Sequence, residues 1–202
     1  MPISNYIIGW APGALRVYRA GLLLDLPEIL KHVPESGSML DVGCGTGLVA
    51  YEIARLRHAL DITGIDVDAK AIDRASRFNS RPNVRYEARR LAEMGGAFDC
   101  ISFMDLLHHV EDGDATRLME ECVSLLKPNG YLFVKDIDRR GGYFSYFMDR
   151  FVSFASPIRL RSMEGLKQLT PPGLKPVFEL RKWKFPQPHL YMKLARPKSA
   201  RA

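Results

Sequence analysis

Apolar residues along this chain fall in short runs separated by stretches of helical periodicity, an alternation that predicts an open α/β sheet. Ser38 to Val42 is too short for a helix and too apolar for a surface loop, so it reads as a buried parallel strand. Leu48, Val49, Ile53, Leu56 and Leu60 then recur near helical spacing, and Ile62 to Ile65 forms a second apolar run. Asp68 to Asn79 reads as a helix with Ala71, Ile72, Ala75 and Phe78 inward, and Val84 to Ala88 as a third strand. Asp114 to Leu126 reads as a further helix, with Leu118, Cys122, Leu125 and Leu126 inward and Asp112 or Asp114 as its N-cap. Before the first strand, residues 5 to 33 suggest one or two helices, Pro27 suiting a first helical turn. At the other end, Pro176 to Trp183 and His189 to Ala195 read as two strands around Phe185-Pro186-Gln187-Pro188.

The first strand runs into Gly43-Cys44-Gly45-Thr46-Gly47, a turn with glycine at every second position, and Asp66 closes the second. Strand, glycine turn, helix, strand and carboxylate in that order describe a βαβ unit that holds a nucleoside. The helix after the turn presents free amides to whatever the turn holds, and Asp66 can accept hydrogen bonds from ribose hydroxyls. A dinucleotide fingerprint G-x-G-x-x-G would need a small residue where Leu48 stands.

The spacing G-x-G-x-G after Leu40-Asp41-Val42 resembles the first motif of class I S-adenosylmethionine-dependent methyltransferases. The stretch Ala97 to Val110, with Met104-Asp105-Leu106-Leu107-His108-His109, is similar to the family's fourth strand and following loop in quinone and small-molecule methyltransferases. Leu125 to Val134 resembles the next helix end, turn and fifth strand, with Asn129 where the family usually has Gly. Asn tolerates the left-handed conformation expected there. The resemblance runs from Ser38 to Asp136, about half the chain. It implies a Rossmann-like seven-stranded sheet of order 3-2-1-4-5-7-6 with strand 7 antiparallel, and S-adenosylmethionine as cofactor. It further implies a cofactor site made of Asp41, Gly43, Cys44, Gly45, Gly47, Asp66, Val67, Met104 and Asp105. One departure stands out: Arg89-Arg90 follows the third strand where the family places an acid for the adenine amino group. A guanidinium cannot accept that hydrogen bond but can stack on the base, which is the role expected of Arg90.

Composition narrows the reading. The chain has 202 residues, 47% of them hydrophobic, and suits one domain: a helical cap over 1–36, a cofactor half over 37–136, and a substrate-side element with a C-terminal hairpin over 137–202. No signal peptide or spanning run is read, so a cytoplasmic protein is expected. Cys44, Cys100 and Cys122 lack metal-ligand spacing, so neither metal nor disulfide is expected. The net charge of +6, with basic residues at Arg55, Arg57, Arg81, Arg85, Arg89 and Arg90 and in the last twenty-two residues, keeps an RNA methyltransferase as an alternative. A cofactor-binding partner without catalysis is a second alternative, motivated by Arg89-Arg90. The aromatic-rich run Tyr143 to Phe154 suits core packing, or contact with a hydrophobic acceptor or membrane surface. His108 is the candidate general base, Asp105 an orienting or cofactor-side residue, and Asp136 a second catalytic candidate at the end of the fifth strand. The leading expectation is methyl transfer to oxygen or carbon of a small, hydrophobic or lipid-like acceptor.

Overall fold

The computed structural model describes residues 25–141, 158–184 and 187–197. Most of the expected N-terminal helical cap and the aromatic run at 143–154 lie outside these residues. A short helix α1 (Leu26–Ile29) precedes β1 (Ser36–Val42), α2 (Leu48–Leu56), β2 (Ala59–Asp66), α3 (Ala69–Phe78) and β3 (Val84–Ala88). There follow β4 (Phe98–Met104), α4 (Asp112–Leu125), β5 (Leu126–Ile137), α5 (Met163–Gln168) and the hairpin β6 (Lys175–Lys184) and β7 (Gln187–Ala195). The strands form one seven-stranded sheet of order β3-β2-β1-β4-β5-β7-β6, with β7 antiparallel to both its neighbours. Architecture and strand order are those the resemblance implied.

The central strands are covered on both faces, which is why they read as unbroken apolar runs. Because side chains alternate across a strand, successive residues feed two cores. Leu40, Ile101, Phe103, Leu132 and Val134 pack with α4 and Leu166 of α5. Met39, Ile62, Cys100 and Phe133 pack on the other face with α2 and with Leu26 and Ile29 of α1.

Several local expectations are corrected. Leu56 and Phe78 are exposed, because each closes its helix on the solvent side, and Leu60 belongs to β2. In α2 the buried face is instead Ala50, Ile53 and Ala54, where small residues let the helix lie close to the sheet. Helix α4 begins earlier than expected, at Asp112 with Glu111 as N-cap, and buries Met119 fully while Leu118 is only partly covered. Asn129 does not adopt a left-handed conformation; among the described residues the only non-glycines that do are Asp25 and Asp105. The Pro128-Asn129-Gly130 segment is accommodated by a register shift where β5 meets Phe98 and Cys100 of β4.

Pro27 occupies the first turn of α1, as expected, and α1 is pinned to the hairpin by charge. The Lys182 ammonium lies 2.9 Å from Asp25 and 2.8 Å from Glu28, while Tyr191 Oη donates to Asp25 at 3.1 Å. Burial alone would raise the Glu28 carboxyl, but hydrogen bonds from Lys182, Lys31 and His32 hold it down to about 2, against an ordinary 4.5. A depressed carboxyl stabilises the fold above its unfolded value, and that contribution is lost as pH falls through the folded value. Glu28→Gln should therefore lower the melting temperature clearly at about pH 7 and only slightly at about pH 2.5, as followed by circular dichroism. An equal loss at both would show that the ionised carboxylate is not what holds α1 down.

Candidate active site

The carboxyl ends of β1, β2, β4 and β5 converge on one edge of the sheet, the place where open α/β sheets bind ligands. On the β1–β2 side the glycine turn is tied down by its neighbours. Gly43 N and Cys44 N both donate to the Ile65 carbonyl, at 2.8 and 3.0 Å, and Gly47 N donates to Cys44 O at 2.9 Å. The Asp66 carboxylate accepts from Gly45 N on one oxygen and from Asp68 N on the other, each at 2.9 Å. Each oxygen keeps lone-pair capacity, so the carboxylate is fixed in place and still able to bind a pair of hydroxyls.

Two residues from outside the motif complete the turn. Tyr86 Oη on β3 lies 3.0 Å from Gly47 O and 2.9 Å from Asn79 O, and Asn79 Nδ2 donates to Thr46 O at 2.6 Å. Gly47 has φ +75, and a Cβ there would sit 2.6 Å from the Tyr86 ring. Gly45 also has a left-handed φ of +54, but a Cβ there would meet nothing within 4 Å. Glycine at 47 thus lets the turn close on β3, whereas at 45 it leaves the backbone facing open space.

A cleft of about 490 Å³ opens beside the turn, with Ile65, Leu91, Leu106 and Leu118 as apolar walls and Asp66 and Arg90 among its polar ones. An apolar slot with a fixed carboxylate and the Gly43 backbone on its wall fits a nucleoside. Of the residues named from the sequence, Gly43, Asp66, Val67 and Arg90 line it, whereas Cys44, Gly45, Gly47 and Asp105 do not. Asp41 and Met104 do not line it; Met104 is packed in the core and Asp41 lies behind the turn. Ser102 Oγ donates to Asp41 at 2.7 Å, and burial, opposed by that bond and reinforced by the charge of Asp66, pushes the Asp41 carboxyl up to about 7.

The β4–β5 side holds a second group of polar side chains. Asp105 follows β4 in a left-handed conformation, φ 55, its amide donating to the Lys135 carbonyl at 2.8 Å. The buried Lys135 ammonium is paired with the Asp105 carboxylate. Burial would raise that carboxyl, but Lys135, His189 and His108 together hold it below its ordinary range. His108 is 2% exposed, and its Nδ1 lies 2.5 Å from Asp136 Oδ1, which also accepts from Ile137 N at 2.8 Å. One ligating atom from each of Asp105, His108 and Asp136 falls within 4.8 Å of the others. The Lys135 ammonium already offsets the Asp105 charge, and the Asp136 carboxylate is occupied by the His108 imidazole. His189 on β7 is buried, and burial and the nearby Lys135 push its imidazole down to about 4.

Above these groups the residues before α5 close the loop after β4. Arg159 N donates to His108 O at 2.7 Å, and the Arg161 guanidinium donates to Leu107 O, Val110 O and Asp112 Oδ1. The structure thus brings His108, Asp105 and Asp136 together. Sequence reasoning missed Lys135, His189, Arg161, Tyr86, Asn79 and Ser102. Of these Lys135 carried a signal, a lone cation inside the apolar run Leu132 to Ile137.

A family model described as a methyltransferase domain matches residues 16–183. A ubiquinone biosynthesis O-methyltransferase of Xanthomonas axonopodis pv. citri (strain 306) is 35% identical over 118 residues, which are 55% of this chain and 48% of that protein. Its counterpart in Xylella fastidiosa (strain 9a5c) is 38% identical over 121 residues, 56% and 48% of the two chains. The chain spans about half the length of the curated relatives it matches. Among solved structures, human N-acetylserotonin methyltransferase in complex with SAM superposes with a TM-score of 0.72 at 17% identity, over 96% of this chain and 55% of that one. The mitomycin 7-O-methyltransferase MmcR gives 0.71 at 17% identity, over 86% and 54%. At these identities the likeness is one of fold.

The glycine turn generates a test of its own. Gly47→Ala combines left-handed strain with a clash against Tyr86 and should lower unfolding free energy by about 2–4 kcal/mol in urea titrations. Gly45→Ala carries the strain alone and should lower it by about 1–2 kcal/mol. Equal losses would mean that Tyr86 does not brace the turn.

Proposed function

The chain belongs to the methyltransferase-domain family, and we propose that it transfers a methyl group from S-adenosylmethionine to a hydroxyl oxygen of a small, hydrophobic acceptor. The observation that carries this reading is the buried His108–Asp136 pair at the sheet edge that also holds the glycine turn and Asp66. The relatives named as O-methyltransferases support oxygen over carbon. In this reading residues 1–202 form one methyltransferase domain.

Gly43, Cys44, Gly45 and Gly47 would hold the amino-acid end of the cofactor, Asp66 its ribose hydroxyls, and the apolar walls with Arg90 its base. When bound, S-adenosylmethionine supplies the methyl electrophile and leaves as a neutral thioether. Asp136 accepts from Nδ1–H of His108, which puts the lone pair on Nε2 and orients the ring. Nε2 then takes the acceptor's hydroxyl proton as the oxygen–methyl bond forms, leaving an imidazolium stabilised by the Asp136 carboxylate. Fixing acceptor and methyl in line supplies the rest; such positioning contributes on the order of 7–11 kcal/mol.

Four of the basic residues behind the RNA alternative are engaged within the chain. Arg55 pairs with Glu52 at 2.9 Å, Arg89 with Glu87 at 3.3 Å, Arg81 stacks over Tyr51, and Arg57 donates to Leu30 O at 2.9 Å. These internal pairings favour the small-molecule reading. No helix of the described residues is long and apolar enough to cross a membrane. A membrane-surface contact through 143–154 stays part of the proposal on sequence grounds alone.

The test is incubation with methyl-labelled S-adenosylmethionine and an extract of the source cells, followed by partition of the label. Label should enter the organic phase; label confined to a nuclease-sensitive fraction would favour RNA instead. Asp66→Ala removes charge-assisted bonds to the ribose and should weaken cofactor affinity by about 10–100-fold in calorimetry. His108→Gln should leave that affinity within about twofold and cut methyl transfer by about 10²–10⁴. Full turnover in His108→Gln would place the base elsewhere.

A further inference from the structure

We infer that Lys135 is a positioning residue for this reaction: its buried ammonium offsets the Asp105 charge, so that of the two carboxylates beside His108 only Asp136 is uncompensated, which favours the neutral imidazole a base requires. The inference rests on His108 being the base.

Lys135 is 1% exposed in the middle of an apolar strand. An ammonium in such a place costs several kcal/mol unless it is paired, so its partner is part of the fold. That partner is held at both ends by one residue: Lys135 accepts the Asp105 amide through its carbonyl and donates to the Asp105 carboxylate through Nζ. The double hold keeps Asp105 in its left-handed conformation and sets its carboxylate beside His108. Two carboxylates next to one imidazole favour the imidazolium, which has no lone pair to offer. A fixed cation on one of them removes most of that bias.

The charged and titratable groups facing His108 can be taken element by element among the described residues. Asp105 approaches from the end of β4, Asp136 and Lys135 from β5, and His189 from β7. The His109 ring lies 4.0 Å away, centroid to centroid, and Arg161 comes from the segment before α5, committed to Leu107 O and Asp112. His189 is held neutral, so Lys135 is the cation that offsets Asp105 and leaves Asp136 as the uncompensated carboxylate beside His108.

Long-range ¹H–¹⁵N spectra of protein labelled at its five histidines read the protonation of each ring without any acceptor, His108 being identified from the signal lost in His108→Gln. Lys135→Met should move the His108 titration upward by about one pH unit, and Lys135→Arg should leave it in place. Asp105→Asn should move it downward, a reversal of sign that loosened packing does not produce. If Lys135→Met fails to fold, judged from its backbone amide spectrum, the contrast between Lys135→Arg and Asp105→Asn carries the test. A His108 titration that stays put in folded Lys135→Met, or in Asp105→Asn, overturns the inference. The expected shifts combined with undiminished methyl transfer by His108→Gln would overturn the proposed function instead, and Lys135's part in it.

Discussion

The structure turns on the carbonyl of Ile65 and the carboxylate of Asp66, adjacent acceptors at the end of β2 that together take three amides of the glycine turn. A turn made of Gly43, Gly45 and Gly47 has little conformational preference of its own, since each glycine loses more freedom on folding than any other residue would. Anchoring its amides to β2 converts that freedom into a defined surface. The open face at Gly45 exists because Gly43 and Gly47 are held on either side, and Asp66 anchors the turn with the carboxylate proposed to take the ribose. The turn and Asp66 are therefore one mechanical unit.

The other half of the site follows a different rule. On the β4–β5 edge the fold buries Lys135, His108 and Asp136 together, with the half-buried Asp105 beside them, and sets Lys135 against Asp105 and His108 against Asp136. Buried ionic groups of this kind seldom add net stability, because desolvation offsets most of the attraction. Under the proposed function their place at the carboxyl edge follows from chemistry, which needs a base kept dry, oriented and neutral. The left-handed backbone at Asp105 belongs to the same account, as strain held at a site where the surrounding contacts over-determine it.

Much of this was legible in the sequence, for physical reasons that also mark where legibility stopped. Buried parallel strands betray themselves as apolar runs, so β1 and β2 were located, though each begins two or three residues before its run, and the glycine spacing with Asp66 pointed at the cofactor half. Helix ends were less legible: periodicity extends the inward stripe to Leu56 and Phe78, but only the turn back to the sheet decides that both face solvent. Asp136 was read as a rival to His108, whereas the sheet makes it the partner of His108, because adjacent strands bring together residues far apart in sequence. Tyr86 and Asn79 were invisible for the same reason, since their roles depend on β3 lying beside the turn. Lys135 was the one omission with a visible cue, a cation where the pattern demanded an apolar residue.

The central claim is that the glycine turn and Asp66 form the cofactor site. Its most direct test is a backbone-amide NMR titration with S-adenosylhomocysteine, a stable product that needs no acceptor. The account predicts saturable shifts concentrated at Gly43 to Leu48, at Asp66 and Val67, and at Arg90 and Leu106, with β6 unaffected. Shifts centred elsewhere on the protein, or none at saturating ligand, would contradict it.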